Sequence, residues 1–157
     1  MGRFYSIPFS ATSVSAAVDA FEVLAATAKA FILHRVVLAQ SSDYGDTAAE
    51  GLSVLMKRAT GSYTSGSGGS TVTPVKHLTN DASAGPTAEV CNTSQSAAGS
   101  GALTTFLAEA FNIQSGWEYF PPPEHRLLFL PTEAIVVSIT APTDAITLSG
   151  TMVVEEL

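Results

Sequence analysis

Charged residues are scarce in this sequence of 157 residues. Asp, Glu, Lys and Arg together make up 13% of the chain, about half the share found in an average soluble domain. Seven residues are basic and fourteen are acidic, so the net charge is −7. Binding to a nucleic-acid backbone needs the opposite balance. We therefore exclude nucleic acid as the main partner and expect a weakly hydrated surface suited to permanent protein contact.

Cysteine and long apolar runs are also lacking. Cys91 is the one cysteine, so the chain forms no internal disulfide, and we expect this residue to be a small buried apolar side chain. No apolar run approaches the roughly 18 residues that a membrane-spanning helix needs, and no basic stretch followed by an apolar core opens the sequence. These patterns predict a soluble protein that is made in the cytoplasm and has no membrane partner.

Motifs that carry chemistry are missing too. His34, His77 and His125 lack the spacing of metal ligands, and no nucleophile elbow is present. The glycine-rich loop around Gly66 is not followed by the Lys-Ser or Lys-Thr pair of a phosphate-binding loop. We expect no enzymatic activity, no metal and no cofactor.

One acidic cluster, formed by Asp43, Asp46 and Glu50, has the residue type that calcium prefers. Its spacing is not that of an EF-hand. The sequence favours an Asx-type turn over a calcium site at this position.

Short β-strands are what the sequence does contain. Turn signals recur about every 8 to 15 residues, and alternating or β-branched runs lie between them. The clearest runs are Ala30 to Gln40, Ala134 to Thr140 and Ile146 to Glu155. We predict an all-β fold, an antiparallel jelly-roll-like β-sandwich of about eight to ten strands, as a single domain over residues 1–157. The weaker predicted strands are Arg3 to Phe9, Val18 to Ala25, Leu52 to Thr60, Val72 to Leu78, Thr87 to Asn92, Leu103 to Ile113 and Trp117 to Phe120.

Three weaker segments also fit helical spacing. They carry apolar residues at i, i+3 and i+4 around Phe21, around Leu55 and around Phe106. The β character of their neighbours favours strands. Two Gly/Ser-rich segments, residues 61–70 and 92–101, are predicted to be loops that could reach away from the body.

Two segments are candidate protein interfaces. The first is the N-terminal strand or arm of residues 1–10, whose Arg3, Phe4 and Tyr5 are too apolar for a free tail and could add to a neighbouring subunit's sheet. The second candidate interface is a segment in which aromatic residues precede three prolines. Its rigid backbone would lose little conformational entropy on docking, although the segment could equally be an internal lid. Its residues are Trp117, Tyr119, Phe120, Pro121, Pro122 and Pro123.

Turn and edge motifs spread over nearly the whole chain carry a resemblance. They are the stretch from Ser42 to Glu50, the loop Gly66 to Gly69, the run Pro121 to Glu124, and the closing Ala141 to Asp144 with Ser149 to Thr151. Together they resemble small jelly-roll virion proteins of tailed phages and prophages, similar to capsid decoration or cement proteins. The resemblance implies a trimer on the assembled head, and it transfers no functional residue.

We therefore expect a structural virion protein on the phage head surface, made in the host bacterial cytoplasm. Its expected partners are the major capsid protein and itself, as a homotrimer. The alternative is a carbohydrate- or receptor-binding module of a head or tail fibre, in which Trp117 and Tyr119 would stack on a sugar ring.

Overall fold

The computed structural model describes residues 2–42, 44–45 and 50–157. Strands and isolated bridges make up 58% of the described residues. These residues contain no α-helix, only one 3-10 turn at Pro123–His125. The predicted all-β, single-domain fold is confirmed. The strands are β1 Arg3–Val14, β2 Val18–Leu24, β3 Phe31–Gln40, β4 Gly51–Thr60, β5 Ser70–Val72, β6 Val75–Lys76, β7 Thr87–Asn92, β8 Ala102–Asn112, β9 Trp117–Tyr119, β10 Leu127–Phe129, β11 Ala134–Ile139 and β12 Ile146–Glu156.

Two antiparallel sheets form the sandwich. Sheet A has the order β10-β3-β12-β1-β6, with β9 also paired to β3, and sheet B has the order β5-β7-β2-β11-β4-β8. The pairs are nested, because β1 pairs with β12, β2 with β11, β3 with β10 and β4 with β8. Eight strands that pair from the outside inward in this way make a jelly roll. The other four strands extend the sheets: β5, β6 and β7 are inserted between β4 and β8, and β9 lies between β8 and β10.

Apolar side chains from both sheets meet between the layers. Along β12 every second residue is buried, the period of a strand with one face on the core. The aromatic part of the core includes Phe9 against Phe21 and Phe31 stacked on Phe129. The largest fully buried side chains are Tyr5, Phe21, Phe31, Phe129, Ile7, Leu33, Leu38, Leu52, Met56, Ile135, Ile139 and Ile146.

The three segments with helical spacing are the strands β2, β4 and β8, as predicted. In β8 the helix-like pattern has a local cause. The pairing register between β8 and β4 shifts at Phe106: Met56 of β4 pairs with Leu107, and the next residue, Lys57, pairs with Thr105. A bulge residue changes which face the following side chains occupy, so the period of two is broken.

The predicted strand Val72 to Leu78 is wrong as a single element. It is divided between β5 in sheet B and β6 in sheet A, and Pro74 lies between them. Proline cannot donate to a ladder, so the chain leaves one sheet there and enters the other. Strand β10, Leu127–Phe129, has no counterpart among the predicted strands.

Candidate functional site

The N-terminal segment belongs to the chain's own sheet A. Strand β1 pairs with β12 over most of its length and with β6 at Tyr5 and Ser6. Tyr5 is fully buried, and its hydroxyl donates to the Ala82 carbonyl at 3.0 Å. Arg3 lies 3.7 Å from the Glu156 carboxylate. Since these partners lie within the chain, Tyr5 is buried without a neighbouring subunit, and the pairing of the arm with a neighbouring subunit's sheet stays a prediction.

Phe4 is also engaged inside the chain. Its ring meets the His34 ring edge-on with centroids 4.9 Å apart, and it stacks on His77 with centroids 6.1 Å apart. His34 is itself within 2.8 Å of Glu155. Phe4 of β1 therefore packs against His34 of β3 and His77 of the loop after β6, both in its own chain.

Trp117, the first aromatic residue of the second candidate interface, faces inward. Trp117 is only 7% exposed, and its indole N–H donates to the Glu109 carboxylate of β8 at 2.8 Å. Tyr119 stacks on Trp117 with centroids 6.5 Å apart. Burial, and to a lesser extent the Glu109 charge, raises the pKa of Tyr119. These two residues favour the internal lid that the sequence left open, since Trp117 is buried and Tyr119 is partly buried against it.

The rest of this segment is exposed along one edge of sheet A. Strands β9 and β10 both pair with β3, so the chain between them runs along the same edge. Phe120 is 66% exposed, and Leu128 and Leu130 that follow are 42% and 51% exposed. Pro121 is buried, whereas Pro122 and Pro123 are exposed. We call Phe120, Pro122, Pro123, Leu128 and Leu130 the apolar edge.

The two Gly/Ser-rich loops do not extend into solvent, so that prediction is wrong. They pair with each other through bridges at Thr64–Ala97 and Ser67–Ser94, and they lie over the outer face of sheet B. Gly69 is required for this close approach, because a Cβ atom there would overlap the Val90 carbonyl oxygen. The cover explains why all six residues of β11 are buried.

Glu22 of β2 holds the first loop in place and is 4% exposed. Its carboxylate accepts hydrogen bonds from five groups on the loops and on β7, at distances between 2.6 and 3.1 Å. The donors are the Tyr63 hydroxyl, the Ser65 hydroxyl, the Gly66 amide, the Asn92 side-chain amide and the Ser96 hydroxyl. These bonds replace the water that a buried carboxylate loses.

Asp19, three residues earlier on β2, holds the second loop and is fully buried. It accepts from the Ser96 amide at 2.6 Å, from the Ser96 hydroxyl at 2.8 Å and from the Ser138 hydroxyl at 2.6 Å. Ser96 thus contacts both carboxylates. We call Asp19, Glu22, Asn92 and Ser96 the carboxylate clasp.

Tyr63 lies at the rim of the clasp. Burial and the hydrogen bond to Glu22 raise the pKa of the Tyr63 hydroxyl well above its usual value. The hydroxyl is therefore a neutral donor throughout the physiological pH range. Beside it, Glu22, Tyr63, Thr71, Thr87 and Glu89 line an open groove of about 490 Å³. The Glu22 carboxylate in this groove is already occupied by its loop partners, which leaves it little capacity to bind a ligand.

Cys91 is buried, as predicted, and is 6% exposed. It lines a cleft of about 370 Å³ between the edges of the two sheets, near Phe9 and Gly68. Burial raises the pKa of the thiol to about 11. The thiolate is the reactive form, so this environment suppresses its chemistry.

We expect native Cys91 to resist maleimide or iodoacetamide at pH 7.5, because the higher pKa lowers the thiolate fraction about a hundredfold relative to an unperturbed thiol. Burial slows the reaction further. Mass spectrometry of labelled protein, with and without denaturant, measures the difference. Equal labelling rates in the two states would contradict the buried position.

One serine–histidine contact is present, and we assign it no catalytic role. The Ser6 hydroxyl lies 2.7 Å from His77 Nε2, and the pair is exposed. Within the hydrogen bonds between described residues, no carboxylate orients the His77 ring, as a catalytic pair requires. The described residues also contain no group of three or more His, Cys, Asp or Glu that could hold a metal.

The predicted turn with Asp43, Asp46 and Glu50 is only partly described. Asp43 and Asp46 lie outside the described residues. Glu50 accepts a hydrogen bond from the Thr143 amide, so one of its oxygens joins the residue before β4 to the loop before β12.

Strand β8 forms the edge of sheet B beyond β4. Over the described part of the chain, its eleven residues pair with β4 alone. Most of its side chains are exposed, including Phe106 at 39%, and Glu109 is its one charged residue. We call β8 the open edge, because the backbone groups that point away from β4 have no strand to pair with.

Comparison with known proteins adds no relative. No family model, no curated protein and no solved structure matches the chain. The described residues contain no helix long and apolar enough to cross a membrane. The function must therefore be inferred from the chain's own surfaces.

Proposed function

We propose that this chain is a structural virion protein of a tailed bacteriophage, which binds the major capsid protein on the head surface as a decoration or cement protein. The proposal includes no catalytic activity, no cofactor and no nucleic-acid or membrane partner. Synthesis in the host bacterial cytoplasm precedes binding to the head. The charge-poor surface also favours self-association, and the resemblance to capsid decoration proteins implies a homotrimer.

The observation that carries the proposal is the apolar edge. Three large apolar side chains, Phe120, Leu128 and Leu130, are between 42% and 66% exposed along one side of sheet A. Their backbone is stiffened by the prolines between β9 and β10, so docking orders little additional chain. Clustered exposed apolar residues on a rigid frame are typical of a protein contact.

The jelly-roll fold is compatible with this role, since such sandwiches occur in viral shells, but they also occur in lectins. The carbohydrate-binding alternative relied on Trp117 and Tyr119. Trp117 is 7% exposed, so it does not provide the open ring that the alternative requires, and Tyr119 is partly buried against it. The shell interface is therefore the better-supported function.

Quantitative mass spectrometry of purified phage particles that encode this chain tests the location. We expect hundreds of copies per particle, because each joint between shell subunits is a potential site. Absence from the particle, or a few copies only, would rule out a decoration role.

The apolar edge is tested by adding purified protein to heads that lack it. Leu130→Glu should weaken binding at least tenfold, because the charge must be desolvated in the contact. Leu78→Glu is the matched control, since Leu78 is 61% exposed in another part of the surface, between β6 and β7. Equal binding of the two variants would remove the apolar edge as the capsid contact.

A further inference from the structure

The fold protects its other sheet edges and leaves β8 open. Strands β5, β6, β9 and β10 are only two or three residues long. The outer side of β1 beyond Ser6 carries Pro8 and a bulge near Ala11, where φ is 54°. Short strands, prolines and bulges are the devices that prevent unwanted strand pairing.

Strand β8 has much less of this protection. Over eleven residues it contains no proline, no lysine and no arginine, and its one charge is Glu109. The bulge at Phe106 is its single irregularity. In a strand about half of the backbone N–H and C=O groups point to each side, so one row of them remains without a protein partner among the described residues.

We propose that β8 pairs with β8 of a second copy of this chain, antiparallel and about a two-fold axis. Another copy offers no other exposed edge of comparable length among the described residues. A closed trimer would need β8 to pair with a different edge of its neighbour. The edge that matches β8 is therefore β8 itself, and the contact is isologous.

The charge distribution of β8 is compatible with this arrangement. Full overlap of Ala102–Asn112 places the axis at Leu107. Glu109 is the one charged residue of the strand, and the bulge at Phe106 places it on the opposite face of the sheet from Thr105. The two Glu109 residues are about 13 Å apart along the strand, beyond the Debye length of about 8 Å at physiological salt. The like charges of the two copies are therefore separated.

The pairing joins two six-stranded sheets into one continuous sheet across the dimer. This inference deepens the proposed function, because it names the chain itself as the partner at β8 and leaves the apolar edge free for the shell. It changes the expected oligomeric state of the isolated protein from a trimer to a dimer. The copy number in virions does not depend on it, so the two proposals can fail separately.

Sedimentation velocity at micromolar concentration is the first test. We expect a dimer of the 16.2 kDa chain. Ala108→Lys should raise the dissociation constant at least tenfold, because it places two cations near the axis and desolvates them. Val75→Lys, on the exposed short edge β6, is the matched control and should remain dimeric. A monomer or a trimer for the unmodified chain would overturn the proposal.

Crosslinking tests the register and remains informative if Ala108→Lys fails to fold. Ala108→Cys and Ala102→Cys are equivalent changes at exposed positions of β8. A short bis-maleimide should link Ala108→Cys between copies. It should not link Ala102→Cys, whose two copies are about 34 Å apart along the strand in the proposed register. Efficient links at residue 102, or none at 108, would overturn the pairing.

Discussion

Replacing Glu22 with alanine is expected to lower the free energy of unfolding by about 3 kcal/mol or more. The Glu22 carboxylate accepts hydrogen bonds from five groups. Two are on the clasp residues Asn92 and Ser96, and three are on residues 63–66. Each buried donor that loses its acceptor costs about 1 to 3 kcal/mol, and water can satisfy only part of the set. Urea denaturation, compared at unchanged m-value, measures the loss.

The control for Glu22→Ala is Glu118→Ala, which removes the same kind of side chain. Glu118 pairs with Arg35 at 2.6 Å, but both side chains are 49% exposed, so we expect a loss below about 1 kcal/mol. Amide hydrogen exchange should also increase in residues 61–70 and 92–101 of Glu22→Ala, because the clasp fixes both loops. Equal stability of the two variants would contradict the clasp.

Replacing Trp117 with alanine is expected to cost about 3 to 5 kcal/mol of stability. The side chain is 7% exposed and its indole N–H bonds to Glu109, so the change leaves a cavity and an unpaired acceptor. Thermal and urea denaturation measure the loss. Any defect in particle binding by this variant must be corrected for its unfolded fraction.

Phe120→Ala is the control for Trp117→Ala and separates stability from contact. Phe120 is 66% exposed, so its removal should change stability by no more than about 0.5 kcal/mol. It should nevertheless weaken binding to heads, because Phe120 belongs to the apolar edge. A large stability loss for Phe120→Ala, or none for Trp117→Ala, would reverse the assignment of lid and contact within this segment.

The sandwich was predictable from local pattern. Alternation in Ile146 to Glu155 and the β-branched run Ala134 to Thr140 correspond to β12 and β11. The helix-like spacing around Phe106 was resolved in favour of a strand by the neighbouring segments, and its physical origin is the bulge. These elements can be identified from sequence because alternation and β-branched content are local properties of a short run of residues.

The surface was harder to predict because it depends on contacts between distant residues. Asp19 and Glu22 stand in the otherwise apolar run of β2, and two carboxylates in a buried strand are a signal of a polar partner. Their shared partner Ser96 is more than seventy positions away, and the other loop partners of Glu22 are more than forty positions away. Low complexity in residues 61–70 and 92–101 therefore suggested extended loops, whereas the clasp folds them onto sheet B.

The candidate interface residues illustrate the same division. Composition identified the segment from Trp117 to Pro123 as unusual, but burial divides it into an inward part at Trp117 and an outward part at Phe120. Exposure of Leu128 and Leu130 follows from the pairing of β10 with β3, an element that the sequence pattern did not predict. The open edge likewise depends on strand order rather than on local composition.

A cryo-EM map of the intact phage particle is the decisive measurement for a role on the head. We expect jelly-roll density in hundreds of copies on the outer face of the head shell, with the apolar edge of Phe120, Leu128 and Leu130 against the major capsid protein. A bare head surface, or density for this chain at the tail alone, would contradict it.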